Sequence, residues 1–134
     1  MLHLATHGSF DPLRPLESGI YLTHSKLTTQ SLFDRPLNSD TVILSACESG
    51  LGQIMAGDDY LGLARSLYLG GTRTVIHSLW PVSDQATQSF MRSLYQSVNT
   101  HSIGQAWRLA VDQMVVDGYP PHISGAFVLG GSSE

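Results

Sequence analysis

Apolar residues along this chain fall into two kinds of run, and the two kinds alternate. Leu2–Thr6, Thr41–Ala46 and Thr72–Leu79 are short and largely apolar, the pattern of strands covered on both faces. Elsewhere apolar positions recur every three or four residues. Tyr60, Leu61, Ala64, Leu67 and Tyr68 make one stripe of a helix predicted over 59–69, with Asp58 as its N-cap and Gly70 and Gly71 as its stop. Ser83 precedes a second helix, whose Ala86, Phe90, Leu94 and Val98 repeat every four residues. Ser102 and Gln105 have capping-box spacing ahead of a third, with Ile103, Ala106, Trp107, Ala110 and Met114 on one face.

The stretch from Gly8 to Pro36 is rich in Asp, Pro, Ser and Thr. It contains one minor strand candidate, Gly19–Thr23, and a short helix capped by Thr28 or Thr29 that runs through Leu32 and Phe33 and stops before Pro36. Gly125–Leu129 reads as a closing strand. Strands alternating with helices predict an α/β domain with a parallel sheet covered on both faces. In such sheets binding and catalytic groups gather outside the carboxyl ends of the strands.

The chain has 134 residues, enough for one domain, 1–134, with a core that needs no metal or disulfide. A charged share of 13% and scattered basic residues at a net charge of −4 give no footprint for nucleic acid. No run reaches the length of a membrane span, and no signal peptide opens the chain. A single cysteine excludes an internal disulfide framework and suits a reducing compartment, so a cytoplasmic location is expected. Strand sequence beginning at the second residue is expected to follow further elements, so the chain reads as part of a longer protein.

Two strand ends carry chemistry. Leu2–Gly8 (LHLATHG) closes on His7 and Gly8, and Leu44–Gly50 (LSACESG) presents Cys47 before a polar, turn-prone run. A lone cysteine is ordinarily a small buried hydrophobe. At a strand end beside a histidine it is instead a candidate nucleophile, because a neighbouring base draws off the thiol proton and the thiolate attacks. His24, His101 and His122 fall in loops or helix starts, His77 lies within a strand as a core or cleft residue, and His3 is expected to point away from the strand tip. His7 is therefore the candidate base. The backbone N–H groups of Gly8 and Cys47 are candidate oxyanion donors.

Asp58 and Asp59 have an ordinary role in helix capping, and as an alternative they could face a basic substrate side chain. The glycine-rich stretch Gly50–Gly57 lacks the Gly-Lys-Ser/Thr ending of a nucleotide-triphosphate loop and reads as a flexible segment lining a cleft. His, Asp and Glu nowhere cluster at ligand spacing, so no metal and no cofactor are expected.

LHLATHG, LSACESG, Ala56–Arg65 (AGDDYLGLAR) and Ser78–Asp84 (SLWPVSD), with Ala126–Gly130 (AFVLG), together resemble the CHAT domain. That family stands among the caspase-like cysteine peptidases, with caspases and separase. The resemblance implies a three-layer α/β/α fold with a mostly parallel sheet, here expected to lack the N-terminal strands that family members carry before the histidine motif. It also implies His7 as catalytic histidine and Cys47 as nucleophile of a cysteine endopeptidase working through an acyl-enzyme. CHAT domains usually close longer bacterial proteins, often behind tetratricopeptide repeats, so a repeat domain or partner is the expected regulator of a peptide- or protein-cleaving unit. The alternative is a catalytically idle interaction or regulatory module of the same fold. In that reading an exposed sheet edge joins a partner or a second copy as a homo-oligomer.

Overall fold

Backbone pairing fixes the order of the main sheet. The computed structural model describes residues 1–6, 8, 9, 11, 13–35, 37–45 and 57–134, leaving aside the side chains of residues 9 and 57–61. Strand β1 (Leu2–Ala5) pairs in parallel with β5 (Thr41–Ser45), from Leu2 beside Val42 to Ala5 beside Ser45. β5 in turn pairs in parallel with β6 (Thr74–Ser78), and β7 (Phe127–Gly131) closes the sheet antiparallel to β6, giving the order β1-β5-β6-β7. The sheet is thus mostly parallel, as the resemblance implies, with β7 reversed against β6.

Helices cover both faces. Because side chains alternate along a strand, Leu2, Leu4, Val42, Leu44 and Val75 share one face. They pack with Leu32 of α1 (Thr29–Asp34) and with Leu63, Ala64 and Leu67 of α2 (Gly57–Leu69). Ile43, Ile76 and Phe127 face the other way, against Phe90 and Leu94 of α3 (Asp84–Ser97) and Ala106, Ala110 and Met114 of α4 (Ile103–Val116). Val42, Ile43, Val75 and Ile76 are fully buried, which explains why the central strands are apolar at consecutive positions instead of alternating. The result is the three-layer α/β/α arrangement.

The helix boundaries follow local chemistry. Thr28 and Ser31 exchange side-chain and backbone hydrogen bonds in a capping box at α1, and Ser102 and Gln105 do the same at α4. The Ser83 hydroxyl accepts from the Ala86 N–H at α3. At the end of α2 the Thr72 N–H reaches back to the Leu67 carbonyl, a closure that holds Gly71 at φ +95°, where a side chain is disfavoured. α2 begins at Gly57, so Asp58 lies inside its first turn and not at the cap.

Other boundaries differ from expectation for identifiable reasons. Pro121–Ser124 forms a single helical turn, α5, which delays the closing strand to Phe127. Gly8–Ser9 (β2), Gly19–Tyr21 (β3) and Lys26–Thr28 (β4) make a small antiparallel sheet of their own. Gly19 is required there, since a Cβ would stand 2.1 Å from the Leu27 carbonyl oxygen of the neighbouring strand.

The stack of Phe90 on Phe127, with centroids 4.1 Å apart and rings 2° from parallel, joins α3 to the sheet within the larger core. Phe90→Ala should therefore lower unfolding stability by about 3–5 kcal/mol, read as a drop in the urea midpoint. A loss below about 1 kcal/mol would contradict this packing.

Candidate active site

The two sequence-predicted catalytic residues, His7 and Cys47, lie outside the described residues, but their carriers do not. β1 and β5 are neighbours, run in the same direction, and finish together at the register pair Ala5 and Ser45. His7 is two positions beyond Ala5 in the chain, and Cys47 is two beyond Ser45. The parallel register brings both tethers to the carboxyl edge of the sheet, where adjacent strands are about 4.8 Å apart. Gly8 is buried and opens β2, paired with Ile20 of β3. Asp58 and Asp59 stand in the first turn of α2, with their side chains outside the described residues, as is the stretch 50–56.

Next to this edge lies a hydrogen-bonded chain of side chains. His3 Nε2 is 2.7 Å from Ser45 Oγ, and Tyr95 Oη is 2.8 Å from His3 Nδ1. Its members come from β1, β5 and the last turn of α3. His3 shares a face with Ile43 and Ser45, so its ring reaches diagonally from β1 to a residue two positions along the neighbouring strand. A neutral imidazole donates from one nitrogen and accepts at the other, which matches two hydroxyl partners that can each do either. Desolvation holds the His3 pKa below the ordinary histidine value, and burial raises that of Tyr95. His3 therefore points to the end of β5, contrary to the expectation that it turns away.

His77 sits on β6 beside Leu44, buried on the opposite face of the sheet. Its Nδ1 is 3.2 Å from the Ser78 carbonyl, and because a carbonyl only accepts, Nδ1 carries the hydrogen. Burial lowers its pKa, an effect that the bond to Ser78 partly opposes. His24, His101 and His122 are exposed. Trp80, just past β6, donates its indole N–H to the His122 carbonyl at 2.7 Å and so fastens that loop to α5.

A groove of about 480 Å³ opens beside the end of β1, lined by His3, Ala5, Thr6, Tyr21 and Leu22 among others. The Thr6 hydroxyl donates to the Tyr21 carbonyl at 2.8 Å, linking the residue after β1 to β3. Among the described residues no three His, Cys, Asp or Glu side chains converge as a metal site, and no helix is long and apolar enough to cross a membrane.

Sequence reasoning missed the Tyr95–His3–Ser45 chain. A signal was present in two polar residues, His3 and Ser45, interrupting otherwise apolar strands. Only the register shows that they share a face two positions apart, and Tyr95 adds a sequence separation of 92 residues from His3.

Comparison with known proteins adds a family and one relative. The family model described as the CHAT domain matches residues 1–124. The mouse protein named Tetratricopeptide repeat protein 28 is 28% identical over 109 residues, which is 78% of this chain but 4% of that protein's length.

Buried His77 and half-buried His3 set the sign of an acid response. Both favour the neutral form when folded, whereas the unfolded chain takes up protons near the ordinary value of 6.5. Below about pH 6.5 the unfolded state then binds more protons, so stability falls with pH until the lowered folded-state values are passed. Thermal melts between pH 7.5 and 5.5 should show a falling Tm, and the fall should shrink in His77→Asn. A Tm that is flat across this range would refute the assignment.

Proposed function

The chain belongs to the CHAT domain family, of caspase-like α/β fold, and from that membership we propose that it is a cysteine endopeptidase domain in which His7 activates Cys47. The observation that carries this reading is the paired ending of β1 and β5, at Ala5 and Ser45, two residues before the histidine and the thiol respectively. Adjacent parallel strands are suitable carriers for a base and a nucleophile, which the chemistry requires at one edge.

In the proposed reaction His7 takes the Cys47 thiol proton and the thiolate attacks the carbonyl carbon of a peptide bond. The N–H groups at Gly8 and Cys47 stabilise the tetrahedral oxyanion. Collapse breaks the C–N bond, with His7 returning its proton to the leaving amine. Water, deprotonated by His7, then attacks the thioester and releases the acid and the free thiol. The chain's own groups suffice for these steps, without a cofactor. Asp58 and Asp59, in the first turn of α2, are the proposed selectors for a basic substrate side chain.

The proposed setting is the cytoplasm, where a reduced thiol persists. The substrate is a peptide or protein, and control comes from a tetratricopeptide-repeat segment or partner. Support for that control is the name of the mouse relative, of which this chain matches a small part. A second reading, an idle interaction module, is favoured by β1, which among the described residues pairs on one side only and so offers an edge for a partner or a second copy.

Cys47→Ala should abolish cleavage of peptide substrates, and His7→Ala should lower kcat by about 10²–10⁴-fold. A peptide bearing a thiol-reactive group should label the wild type quickly and with saturation. Slow, unsaturable labelling like that of a free thiol supports the idle module instead.

A further inference from the structure

We propose that the Tyr95–His3–Ser45 chain positions the nucleophile, by fixing the last residue of β5 against β1 so that Cys47 and His7 keep one separation. The inference rests on the Cys–His reading above and extends it to residues outside the reacting pair. Tyr95, His3 and Ser45 act through Cys47 and His7, as positioning residues.

Val42, Ile43 and Leu44 hold β5 in the core, and its backbone is paired with β1 and β6. The pairing with β6 stops at Leu44, so at Ser45 only the pairing with β1 limits how the strand end slides and rotates. A hydrogen bond with two fixed partners restricts both motions. Ser45 is the last residue of β5 and is buried, with 5% exposure, and its hydroxyl is held by a ring on the adjacent strand. That ring is held in turn by Tyr95 from α3, with ring centroids 5.9 Å apart. The end of β5 is therefore tied to two other elements, β1 and α3.

Placement makes this a device for the site as well as for the fold. His3 lies on the same strand that leads to His7, and Ser45 lies on the strand that leads to Cys47. One imidazole consequently cross-links the two tethers. If the link is cut, β1 and β5 remain paired by their backbones, but the distance and angle between base and thiol are no longer held. The thiol then loses proximity to the base that favours its ionised form, and its titration returns toward that of an ordinary cysteine.

Because Cys47 is the chain's one thiol, its ionisation can be read directly. Alkylation by iodoacetamide is followed from pH 5 to 10 for the whole chain and for Ser45→Ala, Ser45→Thr, His3→Leu and Tyr95→Phe, with circular-dichroism melts confirming that each is folded at the assay temperature. The wild-type midpoint is expected below the roughly 8.5 of a free thiol. Ser45→Ala and His3→Leu should raise it by about one unit, a near tenfold slower reaction well below the midpoint, while rates above pH 9.5 converge. Tyr95→Phe should move it less, and Ser45→Thr, which keeps the hydroxyl, should restore it. A lowered wild-type midpoint that Ser45→Ala leaves unmoved in folded protein overturns the positioning role alone. A wild-type midpoint already near 8.5 removes the Cys–His reading and the positioning role together.

Discussion

Parallel pairing of β1, β5 and β6 is the constraint on which the remaining structure depends. Parallel strands need long crossover connections, and both faces of the sheet must then be covered. That requirement places α1 and α2 on one face and α3 and α4 on the other, and it makes the central strands apolar at consecutive positions. The same direction of travel brings the carboxyl ends of β1 and β5 to one edge. The core and the candidate site are thus two results of a single backbone arrangement.

Polar groups inside such a sheet carry a penalty unless they are partnered, about 1–3 kcal/mol for an unsatisfied hydroxyl. Ser45 and His77 occupy that setting and both have partners, although they lie on opposite faces. Thr72 contrasts with them, since among the described residues its buried hydroxyl has no hydrogen-bond partner.

The parts legible in the sequence are those set by local rules. Ser83, the Ser102–Gln105 pair and the Gly70–Gly71 stop each act within one helical turn, and their roles were readable from spacing. Strands β5 and β6 were legible because burial on both faces leaves apolar residues at consecutive positions, Val42–Leu44 and Val75–Ile76. β2 and β4 were not, since segments of two or three residues carry no period, and their pairing is decided by a neighbour such as Ile20 or Leu27. The antiparallel course of β7 was equally hidden, because Gly130 and Gly131 resemble a turn in sequence yet complete the strand beside Val75 and Thr74. At the candidate site, the ends of two strands could be read, but not that they are adjacent. The three-element contact at Ser45 required a register and a tertiary position, which no local signal holds.

The reversed direction of β7 also governs how the domain can be attached to anything else. β7 enters at the carboxyl edge, where Phe127 pairs with Ser78, and leaves at the amino edge, where Gly131 pairs with Thr74. β1 starts from that same amino edge, with Leu2 beside Val42. Both ends of the chain therefore emerge on the side away from the candidate site, separated from it by a strand length of about 17 Å. A tether joined at either end, whether a repeat array, a fluorescent protein or a solid support, would leave the opposite edge open to an approaching polypeptide.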